Sequence, residues 1–268
     1  MSRKNIAILG GGNIGSAIAM GLAKSQLFPA ESIIITRKNR ESQFSHLQMG
    51  FDVLSTNLQA VRSSGIIILC VQPGQLNDLL EEIAPQIQKD HIIISVVSGA
   101  LINDIKQRCN NKGVIVRAMP NTAISIRESM TCLTSDSEEG LETAKEIFDA
   151  LGVSIVIPEE LMVPATALCA CGTAFFLRAV RAASQGGIEI GFHAEDALFM
   201  AAQTAKGAAA LILNGRKHPE GEVDKVTTPR GCTISGLNEM EHHGFSSAMI
   251  KGITTAAEKA AKLYSPAE

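Results

Sequence analysis

The chain has 268 residues, 46% of them hydrophobic, and a formal net charge of −3, which predicts one large domain or two modest ones around a sizeable core. This charge provides no basic surface for nucleic acid. With 4% aromatic residues and no tryptophan, there is also little surface on which bases could stack. No apolar run approaches the roughly 20 residues of a membrane span. We therefore expect neither nucleic acid nor a membrane as a partner.

The amino terminus and the cysteines indicate a cytoplasmic protein. The stretch MSRKNIAILG begins a strand almost at once, which leaves no room for a signal peptide. The six cysteines include no CxxC pair, and several lie in apolar segments. That pattern is typical of reduced thiols rather than of a disulfide framework.

The first part of the chain alternates short β-branched runs with helical patterns. Continuous apolar runs such as Gly65–Val71 and His91–Val97 are typical of strands buried on both faces of a parallel sheet. The alternation predicts an α/β fold with a Rossmann-like doubly wound sheet. The predicted strands are Asn5–Leu9, Ser32–Thr36, Phe51–Ser55, Gly65–Val71, His91–Val97, Val114–Met119, Ser129–Thr134 and Val153–Ile157.

The character of the sequence changes after Pro158, where no further strand is predicted. Alanine-rich helical runs cover about 160–186, 194–214 and 246–264, with a shorter piece near 233–243. We therefore predict a sheet domain over 1–158 and an all-helical domain over 159–268. An alanine-rich helical domain with few charges favours an obligate subunit interface, although a buried core would give the same pattern.

A glycine-rich motif, Gly10-x-Gly12-x-x-Gly15, follows the first strand and opens a helix. This is the context of a dinucleotide-binding turn. Gly10 permits the tight turn, Gly12 lets a pyrophosphate approach the backbone, and Gly15 lets the helix pack closely on the strand. The helix N-terminus then offers unpaired N–H groups to the phosphates. A purely structural turn is the lesser alternative in this context.

The end of the second strand bears on the choice of dinucleotide. An NAD site places an acidic residue there to bind the ribose 2′-hydroxyl, whereas this chain has Thr36, Arg37 and Lys38. Adjacent cations favour a 2′-phosphate, so we predict NADPH as the cofactor, with NADH bound more weakly. A solvated charged loop is the alternative.

Several further motifs are similar to those of one enzyme family. They are GGGNIGSA at 10–17, Asn57, CVQPGQ at 70–75, VSGA at 97–100, RAMPNT at 117–122, HPEGEVDKVTTPRGCTISGL at 218–237 and EHHGFSSAMIKGITTAAEKA at 241–260. On these residues the chain resembles the pyrroline-5-carboxylate reductase family over nearly its whole length.

The resemblance implies an enzyme that uses NADPH to reduce the cyclic imine Δ1-pyrroline-5-carboxylate to L-proline, the last step of proline biosynthesis, by hydride transfer to the imine carbon. It also implies an interlocked homodimer through the helical domain, with a higher oligomer of dimers left open. The implied nicotinamide neighbours are Val71, Pro73, Gly99, Pro120 and Asn121, while Asn57 contacts the adenosine ribose. Together with the glycine turn and the residues after the second strand, the whole predicted cofactor set is Gly10, Gly12, Asn13, Ile14, Gly15, Thr36, Arg37, Lys38, Asn57, Val71, Gln72, Pro73, Gly99, Pro120 and Asn121.

The same resemblance implies a substrate site at the TTPRGCT loop. Its implied residues are Thr228, Gly231, Cys232 and Thr233, with Thr233 in the catalytic role. Our own interpretation adds Cys171, Gly172 and Thr173 to the predicted substrate-binding residues. A turn of small residues before a helix exposes backbone N–H groups to a carboxylate. The Thr233 hydroxyl is able to reach a ring nitrogen, although an N-cap role is the common alternative. Hydride transfer to a protonated imine requires positioning above all, so we expect no metal and no catalytic triad.

Some residues depart from the family pattern. Cys169–Phe175 stands where the family usually reads Ser-Gly-Ser-Gly-Pro-Ala-Tyr, and Arg230 replaces a glycine. Thiols are poorer hydrogen-bond donors than hydroxyls. Two alternatives therefore stay open: a reductase of another cyclic imine or keto acid, and an inactive NADPH-binding regulatory paralogue. The spacing of Cys169 and Cys171 fits neither a metal site nor a redox pair. We expect Cys171–Thr173 to form a tight helix entrance that lines the imine pocket opposite Gly231–Thr233, and the plain start of a core helix is the alternative.

Overall fold

The computed structural model describes residues 5–37 and 45–264. Its eight-stranded sheet has the order β3-β2-β1-β4-β5-β6-β7-β8. The strands are β1 Ile6–Leu9, β2 Ile33–Thr36, β3 Asp52–Leu54, β4 Ile66–Leu69, β5 Ile92–Ser95, β6 Val114–Met119, β7 Ser129–Ser135 and β8 Gly152–Val156. Each predicted strand is present, with ends that differ by no more than two residues. The predicted Rossmann-like sheet is confirmed.

Helices alternate with the strands of the sheet and make up most of the described chain after β8. They are α1 Asn13–Ser25, α2 Asn57–Arg62, α3 Leu76–Ile83, α4 Ile102–Arg108, α5 Glu138–Asp149, α6 Met162–Ala165, α7 Gly172–Glu189, α8 Ala194–Gly215, α9 Pro219–Val226, α10 Cys232–His242 and α11 Phe245–Ala260. The described residues after β8 contain no further strand, as predicted. Helix α9 was not predicted from periodicity, although Pro219 at its start and the capping side chain of His218 are sequence signals for it.

One strand pair breaks the parallel pattern. β6 and β7 are antiparallel, while β1, β2, β4 and β5 pair in parallel with their neighbours. Only a short 3₁₀ segment, Thr122–Ile126, lies between β6 and β7, and a parallel crossover needs a dozen or more residues. Strand β1 lies between β2 and β4, so the chain reverses direction across the sheet there. At such a switch point, ligands bind at the carboxyl ends of the strands.

The central strands of the sheet are buried on both faces, because alternate residues of each strand pack on opposite sides. On one side Ile6 and Ile8 of β1 pack with Ile18 of α1 and Phe148 of α5. On the other side Leu9 packs among residues of α3 and α4. Each isoleucine or leucine removed from water in this way contributes about 1.5–3 kcal/mol to folding. The central strands therefore read as continuous apolar runs.

A buried ion pair joins the last part of the sheet to the helical segment that follows it. Arg117 on β6 is 1% exposed, and its Nη1 donates to Oε1 of Glu159 at 3.0 Å. The same oxygen accepts the backbone N–H of Ile102 at 2.7 Å. Nε and Nη2 of Arg117 have no hydrogen-bond partner among the described residues. Since an unpaired buried charge is costly, Glu159 is held where the helical segment begins.

Tertiary contacts divide the chain into two compact units. Unit 1 contains the residues up to Cys171 together with those from Ala256 onward, and unit 2 is Gly172–Thr255. Unit 1 therefore includes the sheet and the end of α11. The division at residue 158, which was inferred from the change in composition, stays a prediction.

One helical segment corrects an expectation about membrane spans. By length and composition, Glu159–Glu189 is long and apolar enough to cross a bilayer, and it is the one such segment in the part of the chain that the structure describes. Many core helices of soluble proteins pass the same test, so this finding is weak evidence for a membrane. The expectation that no run approaches this length was nevertheless wrong, and the absence of a membrane partner stays a prediction.

Gly15→Ala tests the close contact between α1 and the glycine turn. A Cβ at Gly15 would lie 2.2 Å from the carbonyl oxygen of Gly10, so we expect a loss of about 1–3 kcal/mol in the free energy of unfolding. Urea denaturation followed by circular dichroism measures this loss. The control is Gly207→Ala in α8, where an added Cβ meets nothing within 4 Å. The control should gain roughly 0.5–1 kcal/mol, and a similar gain at position 15 would contradict the close contact.

Candidate functional site

The predicted phosphate-binding turn has the expected geometry. Gly10 has φ +109°, and a Cβ there would lie 2.5 Å from the carbonyl oxygen of Cys70. Gly12 is the N-cap of α1, where an added Cβ would meet nothing within 4 Å. No described side chain caps this helix, and its first turn has no acidic residue. The exposed N–H groups and the helix dipole therefore suit an anion at this end.

The end of β2 adjoins the same turn. The backbone N–H of Gly11 donates to the carbonyl oxygen of Thr36 at 2.9 Å. The guanidinium Nη1 of Arg37 donates to the carbonyl oxygen of Gly11. Arg37, the cation predicted to bind the 2′-phosphate, therefore lies beside the predicted phosphate-binding turn. Lys38, the second predicted cation, lies outside the described residues.

A chain of side-chain hydrogen bonds orients Asn57, the predicted ribose contact. The buried Thr36 hydroxyl donates to Oδ1 of Asn57 at 2.7 Å. Nδ2 of Asn57 in turn donates to Oε2 of Glu82 at 2.9 Å. Because both ends of the amide are engaged, its orientation is fixed before any ligand arrives. Glu82 was not among the predicted residues, since no local pattern links α3 to the start of α2.

The predicted nicotinamide neighbours follow three adjacent strands. Val71, Gln72 and Pro73 come after β4, Gly99 comes after β5, and Pro120 and Asn121 come after β6. Because these strands are parallel, their carboxyl ends meet at one edge of the sheet. The glycine turn after β1 and Arg37 after β2 lie at the same edge. The described members of the predicted cofactor set therefore share this edge of the sheet, which we call the cofactor edge.

Three hydrogen bonds hold Asn121 in place. Its backbone N–H donates to Oγ of Ser129 at 3.1 Å, and Oδ1 accepts the N–H of Ala123 at 3.0 Å. Its Nδ2 donates to the carbonyl oxygen of Cys169 at 3.3 Å. The amide is therefore tied both to the turn after β6 and to the helical segment that contains Cys169.

Tyr264 is a neighbour of the cofactor edge that the sequence analysis missed. Gly99 has φ +92°, and a Cβ there would lie 2.8 Å from Cβ of Tyr264. The Tyr264 hydroxyl donates to Oδ1 of Asn77 at 3.0 Å, and burial raises the pKa of this tyrosine. No sequence motif links the two ends of this contact, because Tyr264 lies near the carboxyl end of the chain.

In unit 2, the predicted substrate loop forms a tight turn before α10. The N–H of Gly231 donates to the carbonyl oxygen of Thr228 at 2.9 Å, and a Cβ on Gly231 would lie 2.5 Å from Oγ1 of Thr228. Arg230 has φ +60°, a left-handed conformation that costs a residue with a side chain roughly 1–2 kcal/mol. Thr228, Gly231, Cys232 and Thr233 are thereby brought together.

Gly231, and not Thr233, is the N-cap of α10. No described side chain caps this helix and its first turn has no acidic residue, so its first N–H groups suit an anion. Thr233 is half-buried in the first turn, and its hydroxyl makes no hydrogen bond to another described residue. The alternative in which Thr233 caps its own helix is therefore wrong.

The Cys171–Thr173 segment corrects a second expectation. Instead of starting a helix, Cys171 ends a π turn, Thr166–Cys171, that continues directly into α7. The chain is helical without a break from Met162 to Glu189. Single π turns are frequent at functional sites. The assignment of Cys171, Gly172 and Thr173 to the substrate site, opposite Gly231–Thr233, stays a prediction.

The cysteines form no disulfide, and no metal centre is present among the described residues. All six cysteines are thiols. Within residues 5–37 and 45–264, no group of three or more histidine, cysteine, aspartate or glutamate side chains is placed to hold a metal ion.

Two family models match the chain. Residues 159–263 match the family described as pyrroline-5-carboxylate reductase dimerisation. Residues 5–99 match the family described as NADP oxidoreductase, coenzyme F420-dependent. The first match covers most of the helical part of the chain, and the second covers β1 to β5 and the loop that contains Gly99.

Solved structures share the fold. A pyrroline carboxylate reductase from Plasmodium falciparum with NADP bound has a TM-score of 0.89 at 24% identity, covering 99% of this chain and 100% of its own. A pyrroline-5-carboxylate reductase from Coxiella burnetii has a TM-score of 0.87 at 25% identity, covering 98% of this chain and 100% of its own.

Curated relatives establish the family. Pyrroline-5-carboxylate reductase 1 of Dictyostelium discoideum is 55% identical over 97% of this chain, which spans only 50% of that relative's length. Pyrroline-5-carboxylate reductase 2 of the same organism is 49% identical over 97% of this chain and 93% of its own length. The second relative matches at nearly full length on both sides. The chain therefore belongs to the pyrroline-5-carboxylate reductase family.

Proposed function

We propose that the chain is an NADPH-dependent pyrroline-5-carboxylate reductase that forms L-proline. The observation that carries the proposal is a pair of uncapped helix N-termini, each entered from a glycine turn, in a member of this family. The first is the start of α1 at Gly12, and the second is the start of α10 at Gly231. The start of α1 suits dinucleotide phosphates, and the start of α10 suits the carboxylate of an imino acid.

Unit 1 supplies the residues that would hold NADPH. The open space at Gly12 and the uncapped start of α1 fit a pyrophosphate, and Arg37 beside them suits a 2′-phosphate. The amide of Asn57, which Thr36 and Glu82 hold in one orientation, suits a ribose hydroxyl. The residues after β4, β5 and β6 then form the remainder of the site. When bound, NADPH supplies the hydride.

Unit 2 supplies the proposed substrate-binding residues. The N–H groups at the start of α10 and the Thr228 hydroxyl bind the carboxylate, and the Thr233 hydroxyl forms a hydrogen bond to the ring nitrogen. A protonated imine is already electrophilic, so the chain's main contribution is to position it. Correct positioning of two reactants contributes roughly 7–11 kcal/mol to lowering a barrier. No covalent nucleophile is required.

We also infer that the chain functions as a homodimer through its helical part. In unit 2, large apolar side chains are exposed on α7, on α8 and in the turn between them. Phe176 of α7 is 63% exposed, Ile190 of the turn 78%, and Phe199 and Leu213 of α8 are 71% and 77% exposed. Exposed apolar surface of this kind marks an interaction site, and residues 159–263 match a dimerisation family. A higher oligomer and a cytoplasmic location stay predictions.

Arg230 favours a second candidate, a reductase of another cyclic imine or keto acid. Its left-handed conformation places an exposed cation in the turn that precedes α10. An added positive charge at this turn favours a substrate with a second anionic group. The substrate preference of the wild-type protein therefore distinguishes the two candidates.

The activity assay uses purified full-length protein with NADPH and Δ1-pyrroline-5-carboxylate, and follows the loss of nicotinamide absorbance. Turnover with formation of L-proline is expected. Tight NADPH binding without turnover would contradict the proposed substrate, and a screen of cyclic imines and keto acids would then test the second candidate. If no cyclic imine or keto acid is reduced, the alternative that is left is an inactive NADPH-binding regulatory paralogue.

Arg37→Glu tests the proposed 2′-phosphate contact. A lost charge-assisted hydrogen bond is worth about 1.5–3 kcal/mol, so we expect the dissociation constant for NADPH to rise about tenfold or more and that for NADH to change little. Fluorescence titration measures both constants. Arg62→Glu, at the far end of α2, is the matched control and should keep the preference for NADPH. An unchanged preference in Arg37→Glu would contradict the contact.

Thr233→Val tests the proposed role of the hydroxyl at nearly constant volume. Loss of the hydrogen bond should lower kcat/KM by about tenfold, while the dissociation constant for NADPH stays the same. Steady-state kinetics and fluorescence titration measure the two effects separately. Thr254→Val on α11 is the control and should keep full activity. A Thr233→Val protein with a normal rate would exclude this hydroxyl from the mechanism.

A further inference from the structure

Two thiols that lie far apart in the sequence face each other in unit 1. The Sγ atoms of Cys132 and Cys169 are 3.9 Å apart. Cys132 lies on β7 and is 2% exposed, next to Met119 and Met162. Cys169 is half-buried in the π turn Thr166–Cys171. The spacing of Cys169 and Cys171 does not indicate a redox pair, but the tertiary structure gives Cys169 a different partner.

The two thiols differ in acidity. A hydrogen bond from Cys132 lowers the pKa of Cys169 to about 7. The same hydrogen bond, together with burial, raises the pKa of Cys132. Since the thiolate is the reactive form of cysteine, Cys169 is the nucleophile of the pair near neutral pH. Burial raises the pKa of Cys70 well above its ordinary value and that of Cys109 to about 12, which disfavours the thiolate form of both.

We propose that Cys132 and Cys169 are an oxidisable pair that a hydroperoxide converts to a disulfide, and that this disulfide weakens cofactor binding by moving the carbonyl group that holds Asn121. The site of modification stands on the 3.9 Å contact alone. The functional consequence rests on the proposed use of NADPH and on the assignment of Asn121 to the nicotinamide end of the cofactor.

The chemistry proceeds in two balanced steps. The Cys169 thiolate attacks one peroxide oxygen, the O–O bond breaks, and the alkoxide or hydroxide that leaves takes up a proton, which gives an alcohol or water and a sulfenic acid on Cys169. The Cys132 sulfur then attacks the sulfenic sulfur, the S–O bond breaks, and the released hydroxide combines with the Cys132 proton to form water. Two thiols lose two electrons, and the peroxide gains them.

The geometry determines which residue moves. An S–S bond of about 2.05 Å requires the sulfurs to approach by about 1.9 Å from their 3.9 Å separation. Cys132 is fixed in the sheet, where it pairs with Met119 of β6 and Ile155 of β8. The π turn has no such ladder on both sides, so Cys169 is the residue that shifts.

The shift of Cys169 reaches the cofactor edge through one hydrogen bond. The carbonyl oxygen of Cys169 accepts Nδ2 of Asn121 at 3.3 Å, while Oδ1 of Asn121 is held by Ala123. A displaced carbonyl loses that bond or rotates the amide. Asn121 directly follows Pro120 at the end of β6, and both are predicted nicotinamide neighbours. The disulfide therefore changes this part of the cofactor edge and leaves the glycine turn at Gly12 unaltered.

The test treats full-length protein with a small excess of hydrogen peroxide in the absence of NADPH. Peptide mass spectrometry should find one disulfide that links Cys132 to Cys169, and dithiothreitol should remove it. Cys171→Ala and Cys232→Ala proteins should still form the bond, whereas Cys132→Ala should not. Cys132→Val, which keeps more of the buried volume, replaces Cys132→Ala if that protein fails to fold. A disulfide from Cys169 to Cys171, or none at all, would overturn the assignment.

The second measurement compares oxidised and reduced protein by fluorescence titration with NADPH. We expect the dissociation constant to rise at least threefold on oxidation, to recover with dithiothreitol, and to be insensitive to peroxide in the Cys132 variants. A disulfide that forms without changing this constant would overturn the functional part. Because neither measurement needs an imine substrate, a failed turnover assay would not be mistaken for a failure of this proposal.

Discussion

The close approach of α1 to the end of β1 is the constraint on which the cofactor edge depends. A Cβ at Gly15 would lie 2.2 Å from the Gly10 carbonyl oxygen, and one at Gly10 would lie 2.5 Å from the Cys70 carbonyl oxygen. Three stretches of backbone therefore meet with no room for side chains. This contact places the start of α1 beside the ends of β1 and β4. The ends of β2, β5 and β6 lie along the same edge because the sheet is parallel there.

A second helix that begins at a glycine without a capping side chain occurs in unit 2, and its turn is more strained than the turn before α1. Both α1 and α10 have glycine as the N-cap and no capping side chain among the described residues. Gly12 faces open space, whereas Gly231 is pressed against Thr228. The turn at Gly231 also holds Arg230 in a left-handed conformation. Strain of this kind persists only where the surrounding structure enforces it.

Polar side chains at the cofactor edge are held from two sides. Thr36 and Glu82 orient the amide of Asn57. Ala123 and Cys169 orient the amide of Asn121. Such preorganisation reduces the ordering cost of binding. The hydrogen bond between Asn121 and the Cys169 carbonyl oxygen is the contact through which the proposed disulfide would act on this edge.

The sequence by itself determined the strands of the sheet, the helical second part, the glycine turn and the family, because periodicity, glycine spacing and short motifs are local properties of the chain. Only the tertiary structure decided the rest. It showed that β7 runs antiparallel, that Cys171 ends a π turn rather than starting a helix, and that Gly231 caps α10. It also paired Gly99 with Tyr264 and Cys132 with Cys169. The contacts of Gly99 with Tyr264 and of Cys132 with Cys169 join residues far apart in the chain. Packing decides which residues meet in this way, and no local sequence pattern predicts it.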